Sequence, residues 1–498
     1  GSDYNILRDS LQGYYTGWCT AAGENFAKSQ LARGDFYVYY SLDNNGEAKI
    51  PRIAIRMDGK NKIGEIRGIA DRQNMEPEMM TILEEKLKEF PDRDKYLKKE
   101  HDMKLLTLID KKVNNNIELT LSELKFLYEI NSKIEGFGYE KDPRIDEIKS
   151  KRNIKKDYAL IFDVKKDEVA LSQEEWEENP NKFKVLVSDL YLKTLINATG
   201  LVLPRHIIGY LELSWLISAE GLVLPQSIGG DLYLNGLTSA EGLVLPQNIG
   251  GDLYLYSLAS AEGLVLPQNF SGSLYLSCLT SVECLVLPQS VGGDLCLNNL
   301  TSAKGLVLPQ NIGGDLYLSN LTSAEGLVLP QNIGGNLYLS NLTSAEGLVL
   351  PQDFSGNLYL SNLTSAEGLV LPQDFSGDLY LSNLTSAKGL VLPQNIGGDL
   401  YLYSLASAEG LVLPQSVGGY LDIHNLDSAE SLVLPQNIGG DLYLWSLTNT
   451  NGLVLPYGFD LDKLKCSSYI KNEILQNPDN YFRKPPSEEE NISIHHKR

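Results

Sequence analysis

Residues 326–346 read GLVLPQNIGGNLYLSNLTSAE, and residues 347–367 read GLVLPQDFSGNLYLSNLTSAE. A chain that writes one 21-residue sentence twice in succession is assembled from a structural unit rather than around a single pocket. The ruler extends in both directions. Gly200, Gly221, Gly242, Gly263, Gly305, Gly326, Gly347, Gly368, Gly389, Gly410 and Gly452 fall on it, and Cys284 and Ser431 occupy its two remaining marks. Each unit carries Gly-Leu-Val-Leu-Pro-Gln, two variable residues, a small pair, Asp-Leu-Tyr-Leu and a Leu-Thr-Ser-Ala turn. In Asp231-Leu232-Tyr233-Leu234 polarity alternates with period two, which predicts a strand with leucines inward and Asp and Tyr outward. Gly229-Gly230 and Pro225 fit the corners, because glycine accepts positive φ and proline ends a ladder.

One such coil cannot bury its leucines alone. Stacked coils can, each hydrogen-bonding the next at roughly 4.8 Å, so thirteen strands from Leu190 to Leu444 predict a rod about 60 Å long. The motif resembles the leucine-rich-repeat family over about half the chain, which implies a curved parallel solenoid used for binding. It departs from that family at two places. Where the family has Asn after Leu-x-Leu-x-x, this chain has Leu237, Leu321 or Leu342, and Ser stands at the next expected Leu. A three-sided β-helix is the alternative winding. The expected fold is therefore an α+β amino-terminal domain (3–90), a charged helical connector and cap (91–187), and a β-rich solenoid (188–456). A carboxy-terminal cap (457–480), read as a helix from Leu461 to Leu475 with Cys466 buried, and a polar tail (481–498) complete the chain.

Charge excludes some partners. The 498-residue chain carries −21, and residues 188–456 hold 22 acids against 4 bases, or −18. Phosphate is repelled by such a surface, so neither nucleic acid nor an anionic membrane is an expected partner of the repeats. Nothing approaches the roughly 20 apolar residues of a membrane span. Five cysteines in this length do not make a disulfide framework and point to a reducing, cytoplasmic setting. His495 and His496 are adjacent tail residues, and no metal or cofactor site is expected.

Stacking turns each outward position into a stripe. One runs through Tyr191, Tyr233, Tyr254, Tyr275, Tyr317, Tyr338, Tyr359, Tyr380, Tyr401 and Tyr443, beside an acidic or amide stripe from Asp231 to Asp441. Stiff aromatics lose little entropy on binding, so an aromatic–acidic strip suits a basic or extended partner. Stacking between coils to hold the register is the structural reading of the same residues. The next outward position varies and is read as Trp215, Asn235, Tyr256, Ser319, Tyr403, His424 and Trp445, which places candidate specific contacts near the two ends. The Leu-Val-Leu segments point Val223, Val244 and their equivalents outward, where side-by-side pairing of rods becomes an expectation.

The first 90 residues read differently. Thr16–Arg33 predicts a helix closed by Gly34, residues 35–40 a strand, residues 50–57 and 63–68 a hairpin around Asp58-Gly59, and residues 76–90 an amphipathic helix. Cys19, Gly34-Asp35-Phe36, Pro51 with Ile53-Ala54-Ile55-Arg56, Glu65-Ile66-Arg67-Gly68 and Asn74 resemble the PcfJ-like domain of plasmids and phages and related "WCTA" proteins over about 60 residues. That resemblance implies a bacterial or mobile-element origin and supplies no mechanism. Cys19 at a helix start is a candidate nucleophile, with Glu65 beside a cationic face of Arg52, Arg56 and Arg67 that suits an anion. The module has no histidine to serve as base. The structural reading makes Cys19 core and pairs the arginines with Glu65.

Two functions follow. One is a protein- or peptide-binding repeat scaffold with an amino-terminal interaction or sensing module. The other is a cysteine-dependent effector enzyme aimed by the solenoid. Repetition favours the first, because catalysis needs unlike residues to converge.

Overall fold

The computed structural model describes residues 3–11, 24–42, 48–58, 62–69, 83, 85–90, 93–136 and 141–484. The chain divides into two compact units, Gly1–Asp163 and Val164–Arg498.

In the first unit, strands Phe36–Leu42, Ala48–Asp58 and Lys62–Gly68 form an antiparallel sheet in sequence order, with Tyr37 opposite Ile55 and Ile55 opposite Ile66. The middle strand alternates, as period two demands. Ile53, Ile55 and Met57 bury one face against Leu83, Leu87 and Phe90, while Ala54 faces Leu7, Leu11 and Ala27. The expected first helix is seen as Glu24–Arg33, its Thr16–Gly23 portion lying outside the described residues, as does most of the expected helix 76–90. Four helices follow: Arg93–Asn114, Leu121–Leu127, Arg144–Ser150 and Ile154–Phe162. They enclose a buried carboxylate, Asp157, that accepts two bonds from Arg152 (2.6 and 2.8 Å) and one from the Tyr128 hydroxyl (2.8 Å). A buried charge persists only when paired in this way.

The second unit is a parallel β-solenoid of stacked coils. A 14-stranded sheet begins at Leu190–Tyr191 and steps 21 residues per strand as far as Leu442–Leu444, so that Leu337 pairs with Leu358 and Tyr338 with Tyr359. A second ladder, across the Gly-Gly corner, starts with Val169–Ala170 and Val185–Leu186 and runs in three stretches. Its interruptions fall next to coils carrying Phe270, Phe354 and Phe375, where Phe-Ser replaces Ile-Gly. The coils send Leu337, Leu339, Leu342 and Ala345, or their equivalents, inward and bury them, apart from the partly buried Leu192, Leu195 and Val282, and successive sets merge into one continuous core. The return from each strand is a pair of tight turns with no helix.

Two glycines explain the corners. Gly326 has φ +77°, the left-handed region that Cys284 and Ser431 enter with a side chain at their own marks. Gly335 is needed for close approach: a Cβ there would fall on Asp315 Oδ1 and on the Gly314–Asp315 peptide of the preceding coil.

The ends are covered. Gln173, on the helix Gln173–Glu178, caps the first edge strand by accepting from Tyr191 N (2.8 Å) and donating to Tyr191 O (3.1 Å). At the other end the expected single helix is corrected. Leu461–Lys463 is a 3₁₀ turn, Leu464–Cys466 adds the fourteenth strand, and only Ser468–Gln476 is helical. Cys466 is buried there, as expected. Residues 481–483 then strap the last coil, Leu455 N donating to Tyr481 O and Arg483 N to Leu455 O.

Candidate functional site

Three stripes run along the solenoid, and the hydrogen bonds say what each is already doing. In the acidic stripe, one carboxylate oxygen accepts the backbone N–H of the equivalent residue one coil on: Asp252 N to Asp231 Oδ1 (2.8 Å), Asp315 N to Asp294 Oδ1 (2.8 Å), Asn336 N to Asp315 Oδ1 (2.7 Å). Asn336 and Asn357 serve identically through their amide oxygens. The stripe is thus a row of pegs that satisfies donors the Gly-Gly corner leaves outside either ladder. The second oxygen often accepts a tyrosine hydroxyl, Tyr233 to Asp231 (2.9 Å), Tyr317 to Asp315 (3.0 Å) and Tyr401 to Asp399 (2.8 Å).

The tyrosines stack. Tyr233 on Tyr254, Tyr254 on Tyr275, Tyr317 on Tyr338, Tyr338 on Tyr359, Tyr359 on Tyr380 and Tyr380 on Tyr401 have centroids 4.4–4.6 Å apart and planes within 16°. Their faces therefore cover one another, and an approaching molecule meets ring edges. Burial, together with Asp231, pushes the Tyr233 phenol up to about 12, and Tyr254, Tyr317 and Tyr401 are raised for the same two reasons. The stack breaks at Cys296, whose thiol burial and the nearby Asp294 push up to about 12.

Near both ends the pattern inverts. Tyr210-Leu211-Glu212 and Tyr420-Leu421-Asp422 exchange the acid and the tyrosine. The displaced tyrosines turn edge-on, Tyr210 to Tyr191 (85°) and to Tyr233 (78°), and Tyr420 to Tyr443 (80°). The displaced acids sit in the tyrosine stripe and accept from the backbone two residues on, Ser214 N to Glu212 (2.9 Å) and His424 N to Asp422 (3.2 Å). His424 Nδ1 also lies 2.8 Å from Asp422 Oδ1, and its ring packs on Tyr403 at 5.1 Å. Trp445 stands exposed on the following coil. Tyr403, His424 and Trp445 are therefore brought onto consecutive coils of one stripe. Trp215 is not: Ser214 is its coil's member, bonded to Asn235 of the next (3.1 Å), and Trp215 lies one residue later, exposed at the turn.

A third stripe is apolar. Val223 and every twenty-first residue after it to Val433 are 64–78% exposed, the most solvent-facing large aliphatics of the repeats. Three residues before each valine stands an exposed Glu, replaced by Lys only at Lys304 and Lys388.

In the first unit, Glu65 lies between two arginines, bonded to Arg67 (2.5 Å) and 3.8 Å from Arg56, so part of the expected cationic face is neutralised. Arg52 lies on the middle strand and is partly buried. Cys19 lies outside the described residues. Among the described residues no group of three His, Cys, Asp or Glu is placed to hold a metal ion, and no helix is long and apolar enough to cross a membrane. No protein-family model, no curated protein and no solved structure matches the chain.

Proposed function

We propose that this chain is a recognition scaffold whose solenoid docks an extended protein or peptide segment along the valine–glutamate face. The observation that carries the reading is the row of exposed valines from Val223 to Val433. Soluble surfaces rarely keep so long a contiguous apolar strip unless something covers it. The adjoining glutamates and the −18 charge of the repeats select a partner that is apolar on one side and basic beside it. Identical contacts repeated at roughly 4.8 Å suit avidity better than a single deep pocket would. Such use is what the leucine-rich-repeat resemblance implies, and in this reading the PcfJ-like amino-terminal module is a second interaction element. Selection of a random peptide library on the full chain tests it. Enriched peptides should combine Lys or Arg with β-branched or aromatic residues and lose binding to the Val328→Ser, Val349→Ser, Val370→Ser triple variant. Peptides without that bias, or indifferent to the three changes, would remove the valine face from the account.

A further inference from the structure

The two inverted coils differ in one respect that bears on ligand chemistry. At the first, the chain supplies its own cation: Lys193 Nζ lies 5.2 Å from the centroid of Tyr191, the tyrosine next to the Glu212 break. A ring whose stack has been interrupted by an acid thus already holds an ammonium group over its face, the arrangement that cation–π attraction favours. Lys193 stands two residues after Tyr191. At the second break the corresponding residue, two after Tyr401, is Tyr403, so an aromatic ring replaces the ammonium.

The surroundings of the second break suit a cation from outside. Asp422 pairs in register with Tyr401 on one side and Tyr443 on the other. Tyr401 is stacked on its far side by Tyr380 but meets Tyr403 only edge-on, at 5.4 Å and 72°. Asp422 spends one oxygen on His424, and its side chain is 13% exposed. Asp399 and Asp441 lie on the flanking coils, and the nearby cation Lys465 is drawn to Asp441 (3.6 Å). Tyr403, Tyr420 and Trp445 add partly or largely exposed rings. Along the intact ladder one planar ring occupies each coil at 4.4–4.6 Å, so the group that replaces the missing ring should be flat. An arginine guanidinium is flat, weakly hydrated and permanently charged, and it stacks on aromatic faces while pairing with carboxylate.

We propose that the Asp422 break is a binding site for an organic cation, an arginine guanidinium of the basic partner, held between Tyr401 and Tyr443 with Asp422 as counter-charge and Trp445 at the rim. The identity of the partner rests on the scaffold reading; the site itself does not.

Ligand-observed saturation-transfer NMR on the full chain tests it, with N-acetyl-arginine amide as probe and N-acetyl-citrulline amide, the same shape without the charge, as control. The expected result is saturable transfer from arginine and none from citrulline. Asp422→Asn keeps an acceptor for His424 and should weaken arginine about tenfold, what one partly desolvated cation contact contributes. Trp445→Ala, at an exposed position, should weaken it in the same direction. Val328→Ser, Val349→Ser, Val370→Ser should leave it unchanged, so loss of the scaffold reading would not disturb this result. Equal responses to arginine and citrulline, no saturable response to arginine, or an undiminished response in Asp422→Asn would each overturn the proposal.

Discussion

Replacing Asp315 separates a structural peg from a charged surface. Its Oδ1 accepts Asn336 N at 2.7 Å, and its Oδ2 accepts the Tyr317 hydroxyl at 3.0 Å. Asp315→Ala leaves a half-buried backbone donor without its acceptor. That costs about 1–3 kcal/mol, and partial access of water places it in the lower half, about 1–2 kcal/mol. Asp315→Asn keeps the acceptor for Asn336 N and exchanges the acceptor for the Tyr317 hydroxyl for an amide donor, as Asn336 already has toward Tyr338 (3.5 Å), so it should cost no more than about 0.5 kcal/mol. Asn336 and Asn357 already perform the same task at 2.9 and 2.8 Å. A solenoid can open locally, so native-state hydrogen exchange at the Asn336 amide is the sharper assay than a global melt. At 1.4 kcal/mol per factor of ten, its protection should fall about five- to thirtyfold in the alanine variant and less than threefold in the asparagine variant. Equal protection in both variants would refute the peg, and a large loss in Asp315→Asn would mean that charge, rather than the acceptor, holds the coils.

Two further outcomes follow from the tyrosines. Tyr338 stacks on Tyr317 and Tyr359 at 4.4 Å, so Tyr338→Leu loses two ring pairs, about 1–3 kcal/mol by urea denaturation, while Tyr338→Phe keeps both and stays near wild type. The phenols of Tyr233, Tyr254, Tyr317 and Tyr401 have folded-state values above the ordinary 10, so the stability they contribute is fully present below pH 10 and is lost as pH rises through the folded value, about 12 for Tyr233. Tyrosinate absorbance and loss of β-sheet circular dichroism should therefore rise together between about pH 10 and 12; ladder tyrosines that ionise near pH 10 with the sheet intact would contradict the stacking.

What the sequence disclosed follows from where each interaction lives. Leu232, Leu234 and Val223 declare their directions because period two is local to one coil, and the 21-residue ruler supplies the stacking. The pegs are invisible to such a reading, since the donor to Asp315 belongs to the next coil. Trp215 is misassigned by one residue because its coil lacks the Asp-Leu-Tyr signature that anchors the count. The last strand hides for a related reason: Leu442 pairs with Leu464, a step of 22 rather than 21, and Leu461, Leu464 and Leu475 mimic a helical face. At the other end, Val185–Leu186 keeps the step of 21 to His206–Ile207, but Val169–Ala170 pairs with it over a step of 16 and falls off the ruler.

Register is the central claim, and deletion tests it most directly. Removing residues 326–346 takes out one whole coil, and removing residues 326–345 takes out one residue fewer. The first variant should melt cooperatively close to wild type as a rod about 4.8 Å shorter. The second shifts every following strand by one residue and turns its leucines to solvent, so it should lose cooperative unfolding. Two deletions with the same melting behaviour would contradict a core built by superposing one coil on the next.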